Sequence, residues 1–97
     1  MDVFKAIADV TRREILCMLS VQDMNAGEIA EHFHMSKPAI SKHLDILKAH
    51  DLISCEKQGQ FLIYSINTTA MQNVYVKIAE LFDGFQGVKH HEKSTDK

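Results

Sequence analysis

The 97-residue chain lacks most of the features that announce a chemistry. Its two cysteines, Cys17 and Cys55, lie in apolar segments without C-x-x-C spacing, which supports two buried free thiols in a reducing cytoplasm rather than a disulfide framework. No apolar run approaches the roughly 20 residues that cross a bilayer, so no membrane insertion is expected, and no secretory signal is visible. Neither sign of charge dominates. The formal net charge is -2, so a nucleic-acid binder of this composition must gather its positive charge locally. Paired catalytic carboxylates, a nucleophile elbow and a glycine-rich phosphate loop are all missing, which sets an enzyme aside. There is neither an internal repeat nor a linker, and this length gives one domain with a small core that association with a second copy would help.

What is present is organised around residues 35–50, MSKPAISKHLDILKAH. Ile40, Leu44 and Leu47 follow the i, i+4, i+7 spacing of a narrow inward stripe. Lys42, Asp45 and Ala49 then point outward with Ser41 on the flank, a small, polar, partly basic face suited to a DNA groove. Pro38 sits in the first turn, where its missing N–H costs nothing, and Ser36 is placed to cap the remaining donors. Asp45 speaks for an ordinary solvated helix, because a carboxylate is repelled by phosphate. The neighbouring segments have to decide.

Residues 3–8 predict a short helix with Val3, Phe4 and Ile7 on one face, too short to be stable alone. Asp9 is the expected N-cap of a second helix over 10–20, with Ile15, Leu16 and Leu19 inward and Arg12 and Arg13 outside. Asn25 and Glu28 form a capping-box pattern that opens a third helix ending near Phe33. Only His34, Met35 and Ser36 separate it from the central helix, the spacing of a helix-turn-helix. LISCEKQGQFLIYSI then reads as a β-hairpin around Lys57-Gln58-Gly59, a wing whose tip residues Lys57, Gln58 and Gln60 are long and polar. Thr69 is taken as the cap of a last helix running from near Ala70 to about Phe85. Met71, Val74, Tyr75, Ile78, Leu81, Phe82 and Phe85 give it a broad apolar stripe that the chain has little left to cover. With Val3, Phe4 and Ile7 of the first helix, that stripe predicts a symmetric homodimer. From Gly87 the chain is polar and is expected to be disordered.

The ordered strings FKAIAD-x-TRREIL, GEIAEHF, SKPAISKHLDILK and GQF-x-IYSINTT, covering roughly residues 4–70, resemble the ArsR/SmtB family of bacterial dimeric repressors, in its SdpR-like autorepressor branch. The resemblance implies a winged-helix homodimer that binds a partly palindromic operator in double-stranded DNA. It places recognition positions at Lys37, Ala39, Ser41, Lys42 and His43, beside the cap Ser36, and wing positions at Lys57, Gln58 and Gln60. Lys37 and Lys42 suit guanine edges or phosphates, Ser41 a base edge or phosphate, and the Ala39 methyl a thymine. His43 lies nearer the core stripe and suits a phosphate. Asp51 stands where the family usually has glycine, and an Asp can take the left-handed conformation at some cost.

The family's metal-sensing patterns are not found: the third helix has no cysteine and the last helix, taken to end near Phe85, no histidine. His32 and His34 diverge on a helix, and His90 and His91 have no fixed geometry, so neither metal nor cofactor is expected. Cys17 matches a position used by redox sensors of the family but lacks its partner cysteine on the last helix, so it stands alone as a redox candidate. Release from DNA by a protein anti-repressor is left open. The expected architecture is mainly α with one β-hairpin, in the order four helices, two strands, one helix. Residues 1–86 are the DNA-binding and dimerisation domain and 87–97 the tail. A winged helix that binds protein instead of DNA is the competing reading, and salt dependence of binding separates the two.

Overall fold

Among the described residues, each of five helices opens on a short polar side chain that accepts a backbone N–H from its first turn. Asp2 accepts from Lys5 at 2.9 Å, Asp9 from Arg12 at 3.1 Å, Ser36 from Ala39 at 3.2 Å and Asn67 from Ala70 at 3.2 Å. Asn25 and Glu28 exchange reciprocal bonds of 2.8 and 2.9 Å, a complete capping box. In the computed structural model, which describes residues 2–95 and the side chains of residues 2–83, these caps delimit α1 (Val3–Ala8), α2 (Val10–Val21), α3 (Ala26–Phe33), α4 (Lys37–Ala49) and α5 (Thr68–Thr95). A strand β1 (Met24–Asn25) precedes α3, and β2 (Ile53–Gln58) and β3 (Phe61–Ile66) follow α4.

The three strands form one antiparallel sheet in the order β1-β3-β2. The expected hairpin is present, and β1 is an addition to the expected element order. It pairs Met24 with Tyr64 and Asn25 with Ile63, so the polar turn after α2 is pinned to the wing. Ile53 opposite Ile66 and Cys55 opposite Tyr64 share the core-facing side of the hairpin. Tyr64 is buried there, and burial, with the Cys55 thiol beside it, pushes its hydroxyl above the usual range. The hairpin turns through Gly59 and Gln60, with Gly59 at φ +65 and Gln60 not positive, the pattern of a type II′ turn. Lys57 and Gln58 therefore belong to β2, paired with Leu62 and Phe61, and only Gln60 of the three expected tip residues is at the tip.

Ile15, Leu19, Ile29, Ile40, Leu44, Leu47 and Leu52 form the fully buried centre where α2, α3 and α4 meet. Both helices of the helix-turn-helix end in Schellman motifs. After α3 the N–H of Met35 reaches Ala30 O at 3.2 Å with His34 left-handed at φ 57; after α4 the N–H of Leu52 reaches Leu47 O at 3.0 Å with Asp51 at φ 58.

Several expectations need correction. Arg12 is buried, not outside: it stands three and four residues before Ile15 and Leu16, on their own stripe. Its guanidinium satisfies α1, with Nε donating to Ala6 O at 2.6 Å and Nη2 to Lys5 O at 3.2 Å. Arg13 is exposed as expected, and its Nη1 donates to Ile7 O and Ala8 O at 3.0 and 2.8 Å, so two arginines close the carbonyl end of α1. Cys17 is exposed and Cys55 half-buried, so they are not two buried thiols. The cap of α5 is Asn67 rather than Thr69, because Asn67 is also held by bonds to Asp51 O at 2.8 Å and Leu52 O at 2.9 Å. α5 passes Phe85, and the segment from Gly87, read from the sequence as a disordered tail, is helical as far as Thr95. Lys89, Glu92 and Lys93 are good helix formers, no proline intervenes, and extending a nucleated helix costs little.

Candidate nucleic-acid interface

On α4 the two faces separate cleanly. Ile40, Leu44 and Leu47 are each 0% exposed, which fixes the helix against α2 and α3. Ser36, Lys37, Lys42, Asp45 and Ala49 are exposed, while Ala39, Ser41 and His43 are half-buried on the flanks. A helix held by one stripe can present the other without rearrangement, and that is what a groove reader needs.

The wing adds a second wall. Lys37 and Ser41 of α4, Asn25 and Gly27 at the start of α3, and Gln60, Phe61, Leu62 and Tyr64 of the wing line one cleft of about 380 Å³. Lys37, Ser41 and Gln60, expected from sequence to touch DNA, are thus brought together. Lys57 and Gln58 are exposed on β2 and do not line that cleft. Phe61 and Leu62 stand 53% and 51% exposed beside Gln60, an apolar component of the wing that a reading based on long polar side chains overlooks.

His43 is held from behind. Its Nδ1 lies 3.2 Å from Nη1 of Arg12 and 3.9 Å from the Asp9 carboxylate. Asp9 in turn is held below the usual carboxylate range, chiefly by the backbone N–H of Arg12; its partial burial opposes this, and the charge of Arg12 assists it. Arg12 is the residue sequence reasoning missed at this site, and its place on the Ile15, Leu16, Leu19 stripe was the available signal.

The expected dimer residues divide into two sets. Val74 is buried in the monomer's own core, a correction to its placement at an interface, and Val3, Ile7, Met71 and Ile78 pack partly against that core. Phe4, Tyr75, Leu81 and Phe82 are exposed, as is Val76, which the sequence reading omits. Phe85 lies outside the residues whose side chains are described. Cys17 and Met71 border two adjoining apolar grooves between α2 and α5, of about 430 and 280 Å³. No helix among the described residues is long and apolar enough to cross a membrane.

Residues 9–54 match the family described as bacterial regulatory protein, arsR family. The chain is 58% identical over 72 residues to the transcriptional repressor SdpR of Bacillus subtilis, covering 74% of this chain and 80% of that one. It is 29% identical over 80 residues to the transcriptional activator HlyU of Vibrio cholerae, covering 82% of this chain and 74% of that one. Among solved structures, an ArsR-like transcriptional regulator from Rhodococcus sp. RHA1 superposes with a TM-score of 0.76 at 27% identity, covering 98% of this chain and 90% of that one.

Proposed function

Because the chain belongs to the arsR family of bacterial regulatory proteins and is a DNA-binding transcriptional repressor of winged-helix form, we propose that it acts in the cytoplasm as a homodimeric autorepressor on a partly palindromic operator. Residues 1–86 form its DNA-binding and dimerisation domain. The observation that carries this reading is the exposed face of α4 beside the wing: Lys37 and Ser41 share a cleft with Gln60, and Lys42, next after Ser41, is exposed. Lys37 and Lys42 neutralise phosphates or bond guanine edges, Ser41 meets a base edge or phosphate, the Ala39 methyl meets a thymine, and Ser36 and His43 meet backbone phosphates. Lys57, Gln58 and Gln60 contact the adjacent backbone or minor groove.

A dimer is supported by the apolar side chains that α1 and α5 leave in water. Tyr75 at 73%, Leu81 at 62% and Phe82 at 59% exposure, together with Phe4, offer a self-complementary patch, with Val3, Ile7, Met71 and Ile78 behind it. A two-fold axis there would present two α4 helices to successive major grooves about 34 Å apart. Cys17, exposed next to this patch, is the one thiol by which oxidation could reach the dimer, and an anti-repressor protein would compete for the same apolar surface.

Footprinting of the full chain on DNA from upstream of its own gene, with a reporter fused to that promoter, tests the reading. Two protected half-sites about one helical turn apart and reduced reporter output are expected. Raised output would give the chain the role named for HlyU, and absence of any footprint would return weight to a protein-binding module.

A further inference from the structure

Arg12 is the one buried charged side chain among the described residues. A guanidinium carries only donors and does not deprotonate in proteins, so every partner it has must accept. Two partners are the α1 carbonyls of Ala6 and Lys5, and the third is Nδ1 of His43 at 3.2 Å. Nδ1 must therefore offer its lone pair, which places the ring hydrogen on Nε2. The competing partner does not change this: the Asp9 carboxylate is 3.9 Å from Nδ1, beyond hydrogen-bond reach, and already accepts the Arg12 backbone N–H at 3.1 Å. The far edge of the ring meets solvent, since the His43 side chain keeps 19% of its surface open and no buried side-chain nitrogen among the described residues lacks a partner.

We infer that Arg12 is a positioning residue for DNA binding, fixing the tautomer and orientation of His43 so that its Nε2–H is presented as a neutral donor to a backbone phosphate. The inference rests on the DNA-binding reading of α4. His43 lies one turn beyond Ala39 and next to Lys42, on the flank of the helix rather than its crest, and the flank of a helix seated in a groove faces the sugar-phosphate wall. A donor-only edge matches a phosphate oxygen, which only accepts. The guanidinium that orients the ring also holds the carbonyl end of α1, so the seating of α1 and the aim of a DNA-contacting side chain on α4 depend on one residue.

Side-chain nitrogen spectra of the full chain labelled in histidine report the tautomer directly, and operator titrations of variants report its use. The Nε2–H form is expected for His43 in the wild type, and a mixture in Arg12→Gln. His43→Gln, whose amide nitrogen falls near the position of Nε2, should keep most of the affinity. His43→Asn reaches only the Nδ1 position, and should lose roughly tenfold in a dimer that gives up the bond twice. The slope of affinity against salt should stay unchanged, because a neutral donor releases no counterion. Should Arg12→Gln fail to fold, the two His43 variants carry the test on folded protein. An Nδ1–H tautomer in the wild type, an unaltered tautomer in folded Arg12→Gln, or equal affinities for the Gln and Asn variants would overturn the inference. A wild type that binds no DNA would sink the DNA reading and the phosphate contact with it, while the tautomer of the free chain would still decide what Arg12 does to the ring.

Discussion

Leu44 of α4 and Leu81 of α5 are the same residue on two helices of one small protein, yet one is 0% and the other 62% exposed. Around Leu44 the fold is finished: Ile15, Leu19, Ile29, Ile40 and Leu47 are buried in the same cluster. Around Leu81 it is not, since Phe82, Tyr75 and Val76 also face water and Val74 is the only buried side chain on the described part of α5. The difference teaches where the division of labour lies. The helix-turn-helix is complete within one chain and can hold a rigid reading face, whereas α1 and α5 leave Phe4, Tyr75, Leu81 and Phe82 in water, the surface proposed to meet a second copy.

The largest way to break the comparison is Leu44→Ala, which should cost about 2–5 kcal/mol through lost burial and a residual cavity, read as a lower urea midpoint. A cost below about 1 kcal/mol would mean that the centre is loosely packed. Leu81→Asp should leave monomer stability nearly untouched and weaken self-association roughly 1,000-fold, since each of the two copies would bury an unpaired carboxylate at a cost of about 2 kcal/mol. Sedimentation at micromolar concentration checks this, and a dimer that persists would place the interface elsewhere. Asp51→Gly should sharpen the contrast by stabilising the finished half by about 0.5–1 kcal/mol, because the left-handed conformation at φ 58 costs less for glycine. The smallest effect concerns Asp9. Its carboxyl is held below its ordinary value, so the stability it lends is fully present above that value and is lost as pH falls through the folded one. Asp9→Asn keeps a capping side chain and should flatten the decline of the urea midpoint below about pH 4, whereas an unchanged decline would show that other carboxylates set it.

Much of the finished half was legible because its signals are local. Ile40, Leu44 and Leu47 repeat at helical spacing, Asn25 and Glu28 form a capping box, and Ser36 precedes Pro38, so each boundary has its own chemistry. Arg12 is hard to read because its charge argues against its position: the stripe of Ile15, Leu16 and Leu19 includes it, and only the folded chain reveals carbonyls close enough to satisfy it. β1 could not be read, since two residues carry no alternation. The choice of Asn67 over Thr69 as a cap depended on Asp51 and Leu52, which are distant in sequence. Val74 looked like an interface residue because a stripe specifies which side of a helix is apolar without specifying how much of it the same chain covers.

The central claim is that the outward face of α4 meets DNA, and Lys42 is its most direct probe, being exposed and remote from the core stripe. The measurement is operator affinity against salt concentration for the wild type and Lys42→Ala, with thermal unfolding of both as a control for folding. The wild type should show a steep salt dependence, and the variant an unchanged melting temperature and weaker binding whose logarithmic slope is shallower by roughly one for each phosphate that it no longer neutralises. Equal affinity and equal slope for the two proteins would contradict the central claim, and would remove α4 as the recognition surface.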